Sequence, residues 1–213
     1  MKNLIIIGAG GAGLEALLVA RRMGGWKIEG FADDALSLTG TSVEGVPVLG
    51  TLEDVVSNNG GAGVHFYCSL GNNRTRKAKA ELFESRGFLP ATLIDPSAVV
   101  AESAGIGEGA YIGAQVFVGP QAVVKRYVIV NVSASVGHHS VTEDYAQICP
   151  GARISGYVKL GEGALVGSNA VVVPGVAIGD WSVLGAASFA SRDIAARLSA
   201  IGVPARVIAP APN

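Results

Sequence analysis

Charge is scarce in this chain. Only 15% of its residues are charged, with 16 Lys and Arg against 17 Asp and Glu, for a formal net charge of -1. No basic stripe suited to phosphate backbones is present, which argues against a nucleic-acid partner. The adjacent Lys125 and Arg126 read as a solvated corner. Cysteine is rarer still. Cys68 and Cys149 lie in different segments, without the spacing of a metal site, and read as small packed residues. Free thiols suit a reduced, cytoplasmic location better than a disulfide framework. Long apolar runs are missing as well. Leu4–Ile7 is too short to cross a membrane, no secretory signal precedes it, and no membrane span is expected. The 213 residues allow one or two domains.

What is present is a period. From Val100 to Leu184 every sixth residue is Val, Ile or Leu, with the single exception of Thr142. Four positions after each stands a small residue or Val, as at Ala104, Ala110, Val116 and Ala122. The residue immediately after is often glycine: Gly107, Gly113, Gly119, Gly137, Gly161, Gly167, Gly179 and Gly185. A repeat of six fits neither the helical period nor hairpins with variable turns. It predicts a solenoid of short parallel strands whose branched residues point inward. The glycines are expected to supply turn geometry that a Cβ would penalise.

The N-terminal part has a different grammar. Leu4–Ile7 predicts a strand running into the glycine-rich turn Gly8–Gly13. A helix over about 14–23 and a second strand, Lys27–Ala32, follow, ending at Asp33-Asp34. This is a βαβ opening in which backbone N–H groups at a helix N-terminus can approach a phosphate, and Asp33 lies where a ribose-binding acid would lie. Tight strand–helix packing is the alternative role for the glycines. Further on, Thr51 reads as an N-cap for a helix to Ser57. Val64–Cys68 reads as a strand, Thr75–Ser85 as a helix stopped by Gly87, and Phe88–Ile94 as a last strand. Pro96 in Asp95-Pro96-Ser97 marks the junction. The expected domains are therefore 1–95 and 96–213. The first is one mononucleotide-sized half of a dinucleotide fold, without the second half and catalytic domain that a dehydrogenase would need. Beyond Leu184 the repeat decays. Ser191–Ala200 has helical spacing, 202–207 reads as an extended cap, and the final Ala-Pro-Ala-Pro-Asn is expected to fray.

One coil carries chemistry. Ser135–Asp144 holds two of the three histidines, His138 and His139, and the one polar inward residue, Thr142. His65 precedes an apolar strand and reads as structural. An imidazole is a natural general base near neutral pH, worth about 10²–10⁴-fold in rate. Acyl transfer from a thioester to an amine needs such a base and no serine or cysteine nucleophile. A solvated histidine pair is the alternative. A metal site is disfavoured, because adjacent residues of an extended segment point to opposite faces.

The six-residue period resembles the hexapeptide repeat of left-handed β-helix acyltransferases, which implies three sixes per coil and a left-handed sense, contrary to the usual crossover rule. The chain as a whole resembles the NeuD/PglD-type sugar acetyltransferases. The matching segments are 8–13, 31–34, 69–79, 94–100, 133–140 and 202–208, in that order. The resemblance implies an α/β plus all-β architecture: an N-terminal half-Rossmann βαβ domain followed by a left-handed parallel β-helix of hexapeptide repeats. It implies His138 as the base that deprotonates the acceptor. It implies Gly10, Gly11, Ala12, Asp33, Asp34, Gly71, Asn72 and Asn73 as holders of a nucleotide-linked amino sugar. Acetyl-CoA, the co-substrate, would lie between neighbouring β-helices of a homotrimer, against Gln147, Gly156, Ser168 and Ala186. No metal is implied.

This chain departs from the family pattern at three places. His139 stands where an acid usually follows the base and is a possible modulator of it. Ala12 replaces a histidine of the glycine-rich loop. Gln147 replaces a histidine near the thioester, though it can still donate a hydrogen bond. Glu143 or Asp144 could orient His138 instead. The expected activity is N-acetylation of a UDP- or dTDP-linked 4-amino-4,6-dideoxy sugar for surface-glycan synthesis. O-acetylation of the sialic acid type and a non-catalytic nucleotide-sugar-binding solenoid are the alternatives.

Overall fold

A computed structural model describes residues 1–58 and 61–212. The chain divides into two compact units, Met1–Leu93 and Ile94–Asn213.

The first unit is a twisted sheet with helices. In chain order it contains β1 (Lys2–Ile7), α1 (Gly11–Met23), β2 (Trp26–Ala32), β3 (Ser42–Val43), β4 (Val46–Gly50), α2 (Leu52–Asn58), β5 (Val64–Cys68), α3 (Asn73–Ser85) and β6 (Leu89–Pro90). The strand order is β3-β4-β2-β1-β5-β6. β1 lies at the centre, parallel to β2 and β5. Its run Leu4–Ile7 is buried, as parallel strands covered on both faces require. Leu4, Ile6, Phe31, Phe66, Phe83 and Phe88 fill the core. The helix ends follow local chemistry. Thr51 and Asp54 form a reciprocal cap on α2: Asp54 N donates to Thr51 Oγ1 at 3.1 Å and Thr51 N to Asp54 Oδ2 at 3.0 Å. Asn72 Oδ1 caps α3 by accepting from Thr75 N at 2.9 Å. At the other end of α3, Gly87 has φ 83° and Phe88 N returns to the Phe83 carbonyl. The strand expected over Phe88–Ile94 is two, β6 and Leu93–Ile94, because they join different sheets.

The second unit is a parallel β-helix. Its strands stack into three ladders of eight, six and five, the first including Leu93–Ile94, and all are two residues long except Leu198–Gly202 and Ala205–Pro210 at the end of the first. Partners such as Tyr111 and Ile129 are 18 residues apart, three sixes per coil. Ile112, Val130, Ile148, Val166 and Leu184 form one inward column; Val118, Val136, Ile154 and Val172 a second; Val124, Thr142, Leu160 and Ile178 a third. All are buried. Each aliphatic member stabilises by about 1.5–3 kcal/mol on full burial, which fixes the register.

The glycines after the inward residues act differently from the expectation. They do not adopt a positive φ. A Cβ on Gly107, Gly137, Gly167 or Gly179 would instead lie 2.4 to 2.5 Å from the backbone of the next coil. The left-handed conformation falls two residues later, at the corner, with φ from 55° to 60° at Gln115, Gln121, Tyr127, Ser133, His139 and Tyr145. Corner residues of successive coils therefore stand in columns. Tyr127 and Tyr145 stack at 5.2 Å with rings 4° from parallel.

Ser191–Ala200 is not a helix. Ile194 bridges Ile178, and Val183-Leu184 pairs with Ser199-Ala200, so the last coil advances 16 residues instead of 18. The open end of the solenoid offers ladder carbonyls and N–H groups, and Gly179 N and Gly185 N bond to Ile194 and Ala200. Those bonds override a helical spacing made by Ile194, which forms an isolated bridge, and Leu198, which begins a strand. The strand Leu198–Gly202 then pairs antiparallel with Ala205–Pro210. Of the tail expected to fray, Ala209 and Pro210 belong to this strand, and Ala211 N donates to the Arg197 carbonyl. Asn213 lies outside the described residues.

Candidate active site

In the first unit, β1 and β5 each end at a glycine-bearing turn before a helix. The glycines there divide into two kinds. Gly8 has φ 95°, and a Cβ on Gly13 would lie 2.0 Å from the Gly8 carbonyl oxygen, so these two serve packing. Gly10, Gly11 and Gly71 face open space, and nothing in the protein requires them to lack a side chain. α1 starts at Gly11, a turn earlier than expected, and its N-cap Gly10 offers no side chain. The first N–H groups of α1 thus open at the exposed Gly11 and Ala12.

The two acids beside this turn are tied to backbone. Asp33 Oδ2 accepts from Ala9 N at 2.8 Å and Oδ1 from Ala35 N at 2.9 Å. Asp34 Oδ1 accepts from Leu52 N at 3.0 Å, and Oδ2 lies 3.4 Å from Lys79 Nζ. Asp34 is the more exposed of the two. Ser69 donates to the Ile7 carbonyl at 2.6 Å, linking the two turns. Asn72 is engaged as the α3 cap, and Asn73 is buried.

In the β-helix, His138 and His139 occupy an exposed corner between Ser135-Val136 and Val141-Thr142. Ser140, fully buried, pins this corner. Its Oγ donates to the Ser155 carbonyl at 2.8 Å and accepts from Val158 N at 3.0 Å. The rings do not diverge as an extended segment would make them. His139 has φ 59°, which breaks the strand alternation and brings the two Nδ1 atoms to 3.1 Å. His139 stacks on Tyr157, with centroids 4.7 Å apart and planes 19° from parallel. His138 meets Tyr157 edge-on at 5.1 Å and 87°. Gly156 lies under His138: a Cβ there would fall 2.6 Å from Cε1 and 2.7 Å from Nε2. Tyr157 is the residue that sequence reading missed. Its signal was position, one coil of 18 after His139.

The two acids considered as orienters are engaged elsewhere. Glu143 pairs with Lys125, and Asp144 Oδ1 accepts from Arg126 N at 2.9 Å. The residues expected to meet acetyl-CoA fall into separate groups. Gly156 adjoins His138. Ser168 and Ala186 share a different corner, where Ala187 N donates to the Ser168 carbonyl. Gln147 stands in a strand between Ile129 and Leu165, and its buried Oε1 has no protein partner. One chain therefore does not gather all four. His65 packs edge-on to Trp26 at 5.4 Å, and burial pushes its pKa down. Both thiols are free; burial raises Cys149 and pushes Cys68 up to about 11, which keeps them protonated and inert. Among the described residues no cluster of three His, Cys, Asp or Glu could hold a metal, and no helix is long and apolar enough to cross a membrane.

Comparison with known proteins bears on both units. The PglD N-terminal domain family matches residues 3–83, and the hexapeptide repeat of succinyl-transferase matches residues 157–189. The acetyltransferase domain of PglB from Neisseria gonorrhoeae, solved with acetyl coenzyme A, is 33% identical with a TM-score of 0.92, covering 97% of this chain and 99% of that one. The chain belongs to the NeuD/PglD-type sugar acetyltransferases. Within that family, PerB from Caulobacter crescentus, solved with CoA and GDP-perosamine, is 29% identical with a TM-score of 0.91, covering 98% of each chain. GDP-perosamine N-acetyltransferase from Escherichia coli O157:H7 is 28% identical over 68% of this chain and 64% of its own. Galactoside O-acetyltransferase from Escherichia coli K12 is 41% identical over 37% of each. The chain thus spans less than two thirds of these two curated relatives. The fold is the family's half-Rossmann unit followed by a left-handed β-helix.

Proposed function

We propose that this protein transfers the acetyl group of acetyl-CoA to the free amine of a nucleotide-linked amino sugar, with His138 as general base. The observation that carries the reading is the His138 imidazole, exposed on a rigid β-helix corner with its ring seated over a glycine. The amine nitrogen attacks the thioester carbonyl and forms a C–N bond while His138 Nε2 takes its proton. The tetrahedral intermediate then expels the CoA sulfur, which recovers that proton from the imidazolium. No covalent enzyme intermediate is needed.

The nucleotide half of the sugar falls to the first unit. Its phosphates would meet the N–H groups at Gly10, Gly11 and Ala12, with Gly71, Asn72 and Asn73 beside them. Asp34, the more exposed acid, would meet the nucleoside, and Asp33 would hold the loop in shape. Acetyl-CoA would run along Gln147, Gly156, Ser168 and Ala186. Since these lie on different corners of one β-helix, two neighbouring protomers would share the donor, which is the reason for a homotrimer. Two free thiols suit a cytoplasmic location.

The acceptor is a 4-amino-4,6-dideoxy sugar carried on a nucleotide. GDP joins UDP and dTDP as a candidate carrier, given the GDP-perosamine bound by the Caulobacter relative. The likeness to galactoside O-acetyltransferase favours a second reading, O-acetylation of a sugar hydroxyl. Thiol release from acetyl-CoA, measured over GDP-, UDP- and dTDP-linked amino sugars and their hydroxyl analogues, tests both. Turnover on an amine alone supports the first reading, and turnover on hydroxyls alone supports the second. Binding without turnover on any acceptor would favour a nucleotide-sugar-binding solenoid.

A further inference from the structure

We infer that His139 and Tyr157 are a positioning pair for the base, an imidazole held by a phenol ring in the place where the family pattern has a carboxylate. The inference rests on the reading of His138 as base. The two Nδ1 atoms are 3.1 Å apart, a hydrogen-bond distance between groups that can each donate or accept. One ring must supply the proton. If His138 Nδ1 is engaged with its neighbour, Nε2 alone can receive a proton from the amine. That requires His138 to carry its proton on Nδ1 and donate it to the Nδ1 lone pair of His139, which keeps its own proton on Nε2. When His138 Nε2 takes the amine proton, the Nδ1–H···Nδ1 bond becomes charge-assisted and strengthens. No proton passes to His139.

An acceptor imidazole is useful only if its ring is held. Tyr157 holds it, stacked at 4.7 Å and 19°. The pairing is set by backbone: both residues are left-handed corners, with φ 59° and 60°, in one column of the solenoid. Tyr157 N also donates to the His138 carbonyl at 2.9 Å. Position 138 and position 156 form the neighbouring column, and the glycine there leaves the His138 ring its room.

The test pairs each truncation with a conservative change. His139→Ala should lower kcat about 10–100-fold, the worth of one hydrogen bond to a charged group, and leave the acetyl-CoA KM little changed. His139→Asn offers an acceptor oxygen near the same place and tolerates left-handed backbone, so it should recover most of that loss. Tyr157→Ala should lower kcat about tenfold, and Tyr157→Phe, which keeps the stack, should lose clearly less. Nitrogen-15 spectra of the histidines, only three in the chain, should show His138 protonated on Nδ1 and His139 on Nε2. In His139→Ala, His138 should lose that fixed tautomer. An inactive His138→Ala together with normal His139→Ala and Tyr157→Ala would overturn the positioning role and leave the base in place. So would a wild-type spectrum with His138 protonated on Nε2. Near-normal turnover by His138→Ala would overturn the base itself, and the positioning pair with it.

Discussion

Gly156→Ala is the sharpest probe of how the base is seated. The backbone at this position is not in the glycine-only region, so alanine brings no strain of its own. What it brings is a methyl 2.6 Å from Cε1 and 2.7 Å from Nε2 of His138, where ordinary contact begins at 3.4 Å. The imidazole must withdraw by about 0.8 Å, a misplacement that near-attack geometry tolerates poorly, at a cost of about 10–100-fold. It cannot withdraw sideways, because His139 stands 3.1 Å from its Nδ1 and Tyr157 closes the edge at 5.1 Å. It must swing outward. The expected result is a fall in kcat that outweighs any rise in the acetyl-CoA KM, with the melting temperature nearly unchanged, since the three atoms nearest the added methyl all belong to the exposed His138 ring. Thiol release under saturating donor and acceptor measures the first, and a thermal melt the last. A kcat within about twofold of wild type would refute the reasoning. A raised acetyl-CoA KM with intact kcat would make Gly156 a donor contact alone, without a part in seating the base.

Other outcomes follow from particular residues. His138→Ala should lower kcat by about 10²–10⁴-fold, the usual worth of a general base, and leave acetyl-CoA binding measurable by calorimetry. Asp33→Ala removes two acceptors of backbone N–H groups; it should raise the KM of the sugar far more than that of acetyl-CoA and lower the stability of the first unit by about 1–3 kcal/mol. Equal KM changes would reduce that unit to a scaffold. Thr142→Val replaces a fully buried hydroxyl that has no protein partner, in a column otherwise of Val124, Leu160 and Ile178. It should stabilise by about 1 kcal/mol in urea melts, and a destabilised variant would show that the hydroxyl is satisfied. Light scattering at micromolar concentration should report a trimer. A monomer would separate Gly156 from Ser168 and Ala186 for good and end the shared-donor proposal.

The β-helix was legible because its rule is local and repeated. Every inward residue from Ile112 to Leu184 sits in the buried column that its spacing assigned, Thr142 included. In the first unit the central strands and helices were legible from apolar runs and from caps such as Thr51, although α1 begins a turn early and the strand expected over 88–94 is two. What could not be read was where backbone, and not side-chain pattern, decides. The spacing of the glycines after the inward residues predicts turn formers there, yet the left-handed turn residue is two places on and is often Gln, Tyr, Ser or His. The same error hid the site's geometry. An extended reading sends His138 and His139 to opposite faces, whereas a left-handed His139 brings them together and places Tyr157 over it. Tyr157 is 18 residues away, and only the coil length makes it a neighbour. Glu143 and Asp144, near in sequence, belong to another edge of the solenoid and are engaged by Lys125 and Arg126.

The shortened last coil has a consequence for how such a solenoid stays a discrete particle. A stack of identical parallel ladders is an open template, and another copy could in principle dock end-on and continue it into a filament. Two residues are missing from the coil that would have to be matched, since Leu184 pairs onto Ala200 where Val166 pairs onto Leu184. A slip of two keeps every inward side chain inward, so the core is sealed as usual while the corners fall out of line with any incoming coil. On the largest ladder the outermost strand, Ala205–Pro210, then runs in the opposite direction and ends in a proline that has no N–H to offer. An approaching parallel strand meets the wrong polarity and the wrong phase together at this end of the largest ladder, which makes it a poor template for growth along the axis.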